Sequence, residues 1–250
     1  MASADSAGVP WKGRHFEQND WGSDDGSAPE KLVEAIRRFA TGEVGEADVV
    51  DAVRDVRLLV PLIANLGEAG QNEHGQTVDK SQDLSIVTVA GPDGRNVLPA
   101  FTSVDAMRAW NPQARPVPVQ AQRVALAAAS ERTDVVVLDP TSVTQFVIRR
   151  PALWAIARSE PWQPSYLDPV VEKAVTDAAA DVLEVLDLSV EAGDPRSSLA
   201  GPELVVRLTL DSGLDAARLQ ELVALVHHRL SSNELFATRV DSLTIQLVAA

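Results

Sequence analysis

The sequence predicts an α+β protein of α/β-type layers: an N-terminal mixed sheet with flanking helices, followed by a smaller C-terminal α-β-β-α-β domain. Short apolar runs bounded by Pro, Gly and Asn alternate with stretches of helical spacing. Aromatic residues make up only 4% of the 250, so the core must be Val, Leu, Ile and Ala, which suit helix-on-sheet layers. The densest proline cluster, around Pro161, Pro164 and Pro169, separates two blocks each long enough to fold alone. The expected divisions are an extended arm over 1–28, a domain over 29–160, a proline-rich linker over 161–169 and a domain over 170–250.

The arm is rich in Gly, Ser, Asp and Asn and holds Trp11, Phe16 and Trp21 at a spacing of five, which matches neither a helix face nor a strand face. Docking of these rings on the protein's own body, capture of a partner, and disorder are all open readings. Ser27 and Glu30 have the spacing of a capping box, with Pro29 in the first turn and Leu32, Ala35, Ile36 and Phe39 on one helical face that ends at Gly42. Val49, Val50 and Val53 mark a second helix. The run from Arg57 to Ala64 reads as a strand, and Pro61 predicts that it lies at an edge or carries a bulge. A polar segment from Asn65 to Gln82 leads to a strand from Leu84 to Val89, then a Pro92-Asp93-Gly94-Arg95 turn and a strand from Val97 to Phe101, a three-stranded meander.

Thr102 or Ser103 caps a helix carrying Val104, Met107 and Trp110, and Pro116 and Pro118 keep the next piece extended. Ala121, Val124, Ala125 and Ala128 form a small-residue helix face able to lie close to a sheet. Strands are expected at 134–138 and 143–148, and a helix at 151–157. Beyond the linker the pattern gives a helix near 170–181, strands near 183–191 and 203–210, a helix near 213–230 with Leu219, Leu222, Val223, Val226 and Leu230 on one stripe, and a strand near 240–248.

A net charge of −14 opposes a nucleic-acid partner and an anionic membrane surface, because both need clustered Lys and Arg. No secretory signal and no apolar run of about 20 residues is visible, so the chain is expected to be soluble and cytoplasmic. With no Cys there is no thiol chemistry and no thiolate metal site. Phosphate-cradling glycine motifs and the G-x-S-x-G elbow are absent. The adjacent His227 and His228 point about 100° apart on a helix and cannot share one ion from a single face. The Asp20, Asp24, Asp25 and Gly26 group fails the calcium-loop register and reads as an Asp-rich turn before the first helix. No cofactor is expected. The best polar constellation is Asp79, Lys80, Asp83, Arg95 and Arg115. It is open to three readings: fold-stabilising ion pairs or loop tethers, a partner-binding surface, or an active site.

Several stretches together resemble the SseB family of bacterial proteins: Asp24-Asp25-Gly26, Arg57-Leu58-Leu59-Val60-Pro61, Asp79-Lys80 with Asp83-Leu84, and Asp93-Gly94-Arg95. The set continues with Leu98-Pro99-Ala100-Phe101-Thr102-Ser103, Trp110, Ala114-Arg115-Pro116-Val117 and Val137-Leu138-Asp139-Pro140. The resemblance covers roughly residues 24 to 158. Residues after about 168 are similar to a family C-terminal domain in strand and helix pattern only. The resemblance implies a soluble α+β domain and carries no established catalytic mechanism.

The expected function is therefore a non-enzymatic protein-binding or regulatory module. The alternatives are a small-ligand sensor, with amino acids first among ligands, and an enzyme using carboxylates near Asp79 and Asp83. A protein partner, a small-molecule ligand and self-association all remain compatible with the sequence.

Overall fold

The computed structural model describes residues 24–64, 70–71, 77–78, 84–130 and 133–250. The fold is α+β. Its first helix, α1 (Glu30–Ala40), buries Leu32 and Ile36, and Phe39 meets Phe146 edge-on with ring centroids 5.3 Å apart. The capping box does not form. Pro29 occupies the N-cap and its carbonyl takes the first helical amides, while the Ser27 carbonyl accepts from Arg57. Helix α2 (Glu46–Arg54) buries Val49, Val50 and Val53.

Strand β1 (Arg57–Ala64) is the middle strand of a sheet with β4 (Leu84–Ile86) and β7 (Arg115–Gln120), ordered β4-β1-β7 and antiparallel throughout. The edge position expected from Pro61 is thus corrected. Pro61 sits opposite Pro116, and the β4 ladder starts one residue later at Leu62, so both sides tolerate a residue that cannot donate. Between β1 and β4 lie the short pair β2 (Gly70–Gln71) and β3 (Thr77–Val78). The expected meander is also corrected. The strand expected over 84–89 is split: β4 joins β1, and after two residues β5 (Val89–Ala90) joins β6 (Asn96–Ala100) in a second sheet, ordered β5-β6-β8-β9. The turn at Asp93-Gly94 forms as expected, with Gly94 at φ 81°.

Helix α3 (Val104–Trp110) is capped by Ser103, whose Oγ accepts from the Ala106 amide. Helix α4 (Ala121–Ser130) lays Ala121, Val124, Ala125 and Ala128 against the sheet. Strand β8 (Val135–Leu138) pairs parallel with β6 and antiparallel with β9 (Phe146–Arg149). Val143, expected in that strand, is 99% exposed in the preceding turn. Helix α5 (Arg150–Arg158) follows directly.

Two buried clamps join these layers, and both use residues of the sequence resemblance. The Arg57 guanidinium donates to the Asp24 carboxylate and to the carbonyls of Ser27 and Thr102, and that bond holds the Asp24 carboxyl below its ordinary range. Asp139, 0% exposed, accepts from the Thr102 amide at 2.8 Å, the Thr102 hydroxyl at 2.7 Å and the Thr144 hydroxyl at 2.8 Å. Reciprocal backbone bonds between Leu59 and Phe101 stitch the two sheets together.

After a 3-10 turn (Ser165–Leu167), α6 (Pro169–Ala179) is capped by Asp168. Strands β10 (Val185–Ala192) and β11 (Leu204–Leu210) pair antiparallel. The chain then runs through α7 (Ala216–Ser231) and α8 (Glu234–Arg239), and β12 (Leu243–Ala249) returns parallel to β11. The short α8, capped by Asn233, is an addition to the expected α-β-β-α-β order. Leu204, Val206, Leu208 and Leu210 of β11 meet Val171 and Val175 of α6 and Leu222, Val226 and Leu230 of α7 in one core.

Replacing Asp139 with Ala removes three hydrogen bonds to a buried carboxylate and is expected to cost about 2–4 kcal/mol by urea denaturation. Asp177→Ala, which breaks an exposed pair with Lys173, is expected to change stability by about 0.5 kcal/mol or less.

Candidate functional site

Every residue of β8 is buried, so the strand is covered on both faces. Val136 and Leu138 face the helices, while Val135, Val137, Val97 and Val147 face the other way. What covers them is Leu199, from the loop 193–203 that joins β10 to β11. Leu199 has φ 63° and Ser197 has φ 46°, a left-handed backbone that costs a side-chain-bearing residue about 1–2 kcal/mol. Burying the Leu199 side chain returns about 1.5–3 kcal/mol, which offsets the cost at Leu199 itself. The Val147 amide donates to the Ser197 carbonyl at 2.8 Å, so the loop also extends the β9 edge. At the neck of the loop Gly193 and Gly201 lie back to back; a Cβ on Gly193 would fall 2.3 Å from the Pro202 carbonyl oxygen.

A charged cluster locks this loop in place. Arg149 ends β9 with its side chain 8% exposed and donates from Nη2 to Asp194 at 2.8 Å and to the Gly201 carbonyl at 2.8 Å. Its Nη1 reaches Asp241 at 3.2 Å and the Ser242 hydroxyl at 3.3 Å. Asp241 also accepts from Arg95 Nη1 at 2.9 Å, and Arg95 Nε donates to Asp93 at 2.6 Å. Asp194 in turn accepts from the Leu199 amide at 2.7 Å and the Ser198 hydroxyl at 3.0 Å. Arg150, next in the chain, caps the last carbonyls of α8 through Ala237 at 3.0 Å and Val240.

Two further carboxylates sit beside Arg149. Glu46 accepts from the Ser197 hydroxyl at 2.7 Å, and Glu203 accepts from the Asp241 amide. Both line a small internal cavity with Arg149, Phe146 and Trp162. Burial raises the Glu46 pKa, and it pushes Glu203 up to about 7, with the neighbouring Asp241 charge adding to the shift. Burial also raises the Tyr166 phenol, helped by the charges of Glu46 and Glu203.

Next to this junction lies an open groove of about 560 Å³ between α5, the linker 159–168 and α8. Its walls include Trp154, Arg158, Trp162, Leu235 and Arg239. The Arg150 guanidinium lies over the Trp154 ring at 5.5 Å, and Arg239 is held by Asp168 at 2.6 Å. Arg158 is exposed at the end of α5 and has no side-chain partner among the described residues. Ser159, at φ 55°, terminates α5 and turns the chain towards Trp162.

Of the residues singled out by sequence, Arg95 belongs to the junction. Arg115 begins β7, exposed and opposite Leu62, in the other sheet, and no contact joins it to Arg95. Asp79, Lys80 and Asp83 lie outside the described residues, as do Trp11, Phe16 and Trp21, so the carboxylate and arm readings rest on sequence alone. His227 and His228 are exposed on α7. Sequence reasoning passed over Arg149, Asp194, Glu203 and Asp241. The readable signal was Arg149-Arg150 directly after the apolar run Phe146-Val147-Ile148, a charge at a position that reads as buried. Among the described residues no cluster of His, Asp or Glu is placed to hold a metal ion, and no helix is long and apolar enough to cross a membrane.

Arg149→Met leaves Asp194 and Asp241 short of their buried partner and is expected to cost about 3–5 kcal/mol in chemical denaturation. Glu203 has its pKa raised from 4.5 to about 7, so between those values the folded chain keeps a proton that the unfolded chain has released. Stability therefore falls as pH rises through that window and levels off above it. Denaturation midpoints measured from pH 5 to pH 8 should show that decline in the parent and a flatter profile in Glu203→Gln, with Glu46 leaving a residual slope of the same sign.

No curated protein and no solved structure matches the chain. A family match does exist, to the SseB protein N-terminal domain over residues 32–155, from within α1 to within α5. It includes Arg57, Arg95, Thr102, Asp139 and Arg149 and ends beside Trp154, while Asp194, Glu203 and Asp241 lie outside it. Residues 32–155, a little under half of the chain, thus match the SseB protein N-terminal domain.

Proposed function

We propose that this chain is a non-enzymatic, cytoplasmic protein-binding module with a regulatory role, and that the groove between α5, the linker and α8 is where its partner docks. The observation that carries the reading is the combination of two indoles, Trp154 and Trp162, with Arg158, which has no partner among the described residues, in a groove of about 560 Å³. Trp and Arg are the residues that most often dominate binding energy at interfaces. An aromatic-lined groove with an exposed guanidinium suits an extended segment bearing an aliphatic or proline anchor and a carboxylate. Because α5 and α8 lie on opposite sides of the Arg149 junction, an occupant of the groove touches both halves and favours their docked arrangement.

A photo-crosslinking residue at Gln163, on the groove rim, tests this in lysate of the native host. A discrete adduct is expected with the parent, and Arg158→Glu or Trp154→Ala should weaken capture by about 2 kcal/mol, roughly thirtyfold. Adducts that persist undiminished in both variants, or no adduct at all, overturn the reading.

A second reading, a sensor of free amino acids, is favoured by Arg158 and Glu160 lining the same groove, opposite charges able to meet a zwitterion. A melting-temperature rise with one amino acid, lost in Arg158→Glu, supports it, since a ligand at about 100 times its Kd adds about 2.7 kcal/mol. No rise with any amino acid ends it.

A further inference from the structure

The three-stranded C-terminal sheet has two edges that differ in kind. The β10 edge is bulged between Val185 and Asp187 and carries Asp187 and Glu191, devices that discourage strand addition. The β12 edge has none of them. Leu243-Thr244-Ile245-Gln246-Leu247-Val248-Ala249 pairs with β11 in an unbroken seven-residue register, contains no charge and no proline, and has no partner on its outer side among the described residues. Beside it lies a groove of about 540 Å³ whose walls join the apolar Leu219, Val223 and Ala224 of α7 and Leu247 of β12 with the exposed His227 and His228. Leu243, Ile245 and Leu247 are only partly buried in the core beneath them.

We infer that β12 pairs antiparallel with β12 of a second copy of this chain, joining two three-stranded sheets into one across a two-fold axis. In a two-fold pairing every side chain faces the same strand on its mate, so a strand bearing charge would oppose its own sign. In a chain of net charge −14, β12 is an uncharged edge that escapes this repulsion, whereas β10 carries Asp187 as well as Glu191, the latter paired with Arg207. The half-covered Ile245 and Leu247 then meet their counterparts, and the apolar side of each α7 closes over the seam. The surface is separate from the groove at α5 and α8, so dimerisation leaves that groove open.

Sedimentation of the full chain over a wide dilution series reads the outcome. The expected species at high concentration has twice the 26.7 kDa chain mass. Gln246→Lys and Val248→Lys, both on the exposed face of β12, should raise the dimer dissociation constant by about tenfold or more, while Ser189→Lys on β10 leaves it unchanged. Circular dichroism checks that each variant is folded, and amide exchange on the unaltered chain should show β12 protection that grows with concentration. A monomer at every concentration, a dimer equally stable in the β12 lysine variants, or β12 exchange independent of concentration overturns the inference; the first outcome leaves the edge to a strand from another protein.

Discussion

The Arg149 guanidinium, held between Asp194 and Asp241, is the constraint on which the arrangement of the two halves depends. Taking an arginine and two carboxylates out of water is unfavourable unless each donor and acceptor is matched, so this cluster is stable in one geometry only. That geometry requires the loop 193–203 to lie across the outer face of the β5-β6-β8-β9 sheet, which seats Leu199 on Val97, Val135, Val137 and Val147. Hydrophobic burial supplies the bulk of the attraction, and the ion cluster supplies the register. Remove either and a strand composed for burial on both faces is left with one face wet.

The second half thus completes the core of the family domain. The residues shared with the SseB N-terminal pattern perform mostly architectural work: Arg57 gathers Asp24, Ser27 and Thr102, and Asp139 ties Thr102 to Thr144. Arg95 links its own turn to Asp241 of the other half. The groove follows from the same docking, since α5 carries Trp154 and Arg158, α8 carries Arg239, and Arg150 ties the two helices together.

Local features of the fold were legible in the sequence because local physics decides them. The small-residue face of α4, the Ser103 cap and the Gly94 turn each depend on residues within one turn of chain. Pairing was less legible. The run 84–89 looks like one strand, and only the competition between β1 and β6 for it reveals that it serves two sheets. The strand expected at 134–138 forms, but the second cover that buries its outer face lies some sixty residues away. Arg95 stood out as a polar residue in a turn, whereas Asp194 looked like an ordinary loop residue and Glu203 like the polar first residue of a strand. Their meaning comes from partners separated by 45 positions for Arg149–Asp194 and 38 for Glu203–Asp241, spacings that no periodicity encodes. The groove was hidden for a related reason: Trp162 and its prolines read as a linker, and a linker becomes a wall only once both halves are docked.

Differential scanning calorimetry of the parent and of Leu199→Asp tests the coupling of the halves most directly. The account predicts one cooperative transition for the parent. It predicts two separated transitions for the variant, because a carboxylate among Val97, Val135, Val137 and Val147 lifts the loop and leaves each hydrophobic cluster to melt alone. Two independent transitions already present in the parent, or a single transition unchanged in the variant, would contradict it.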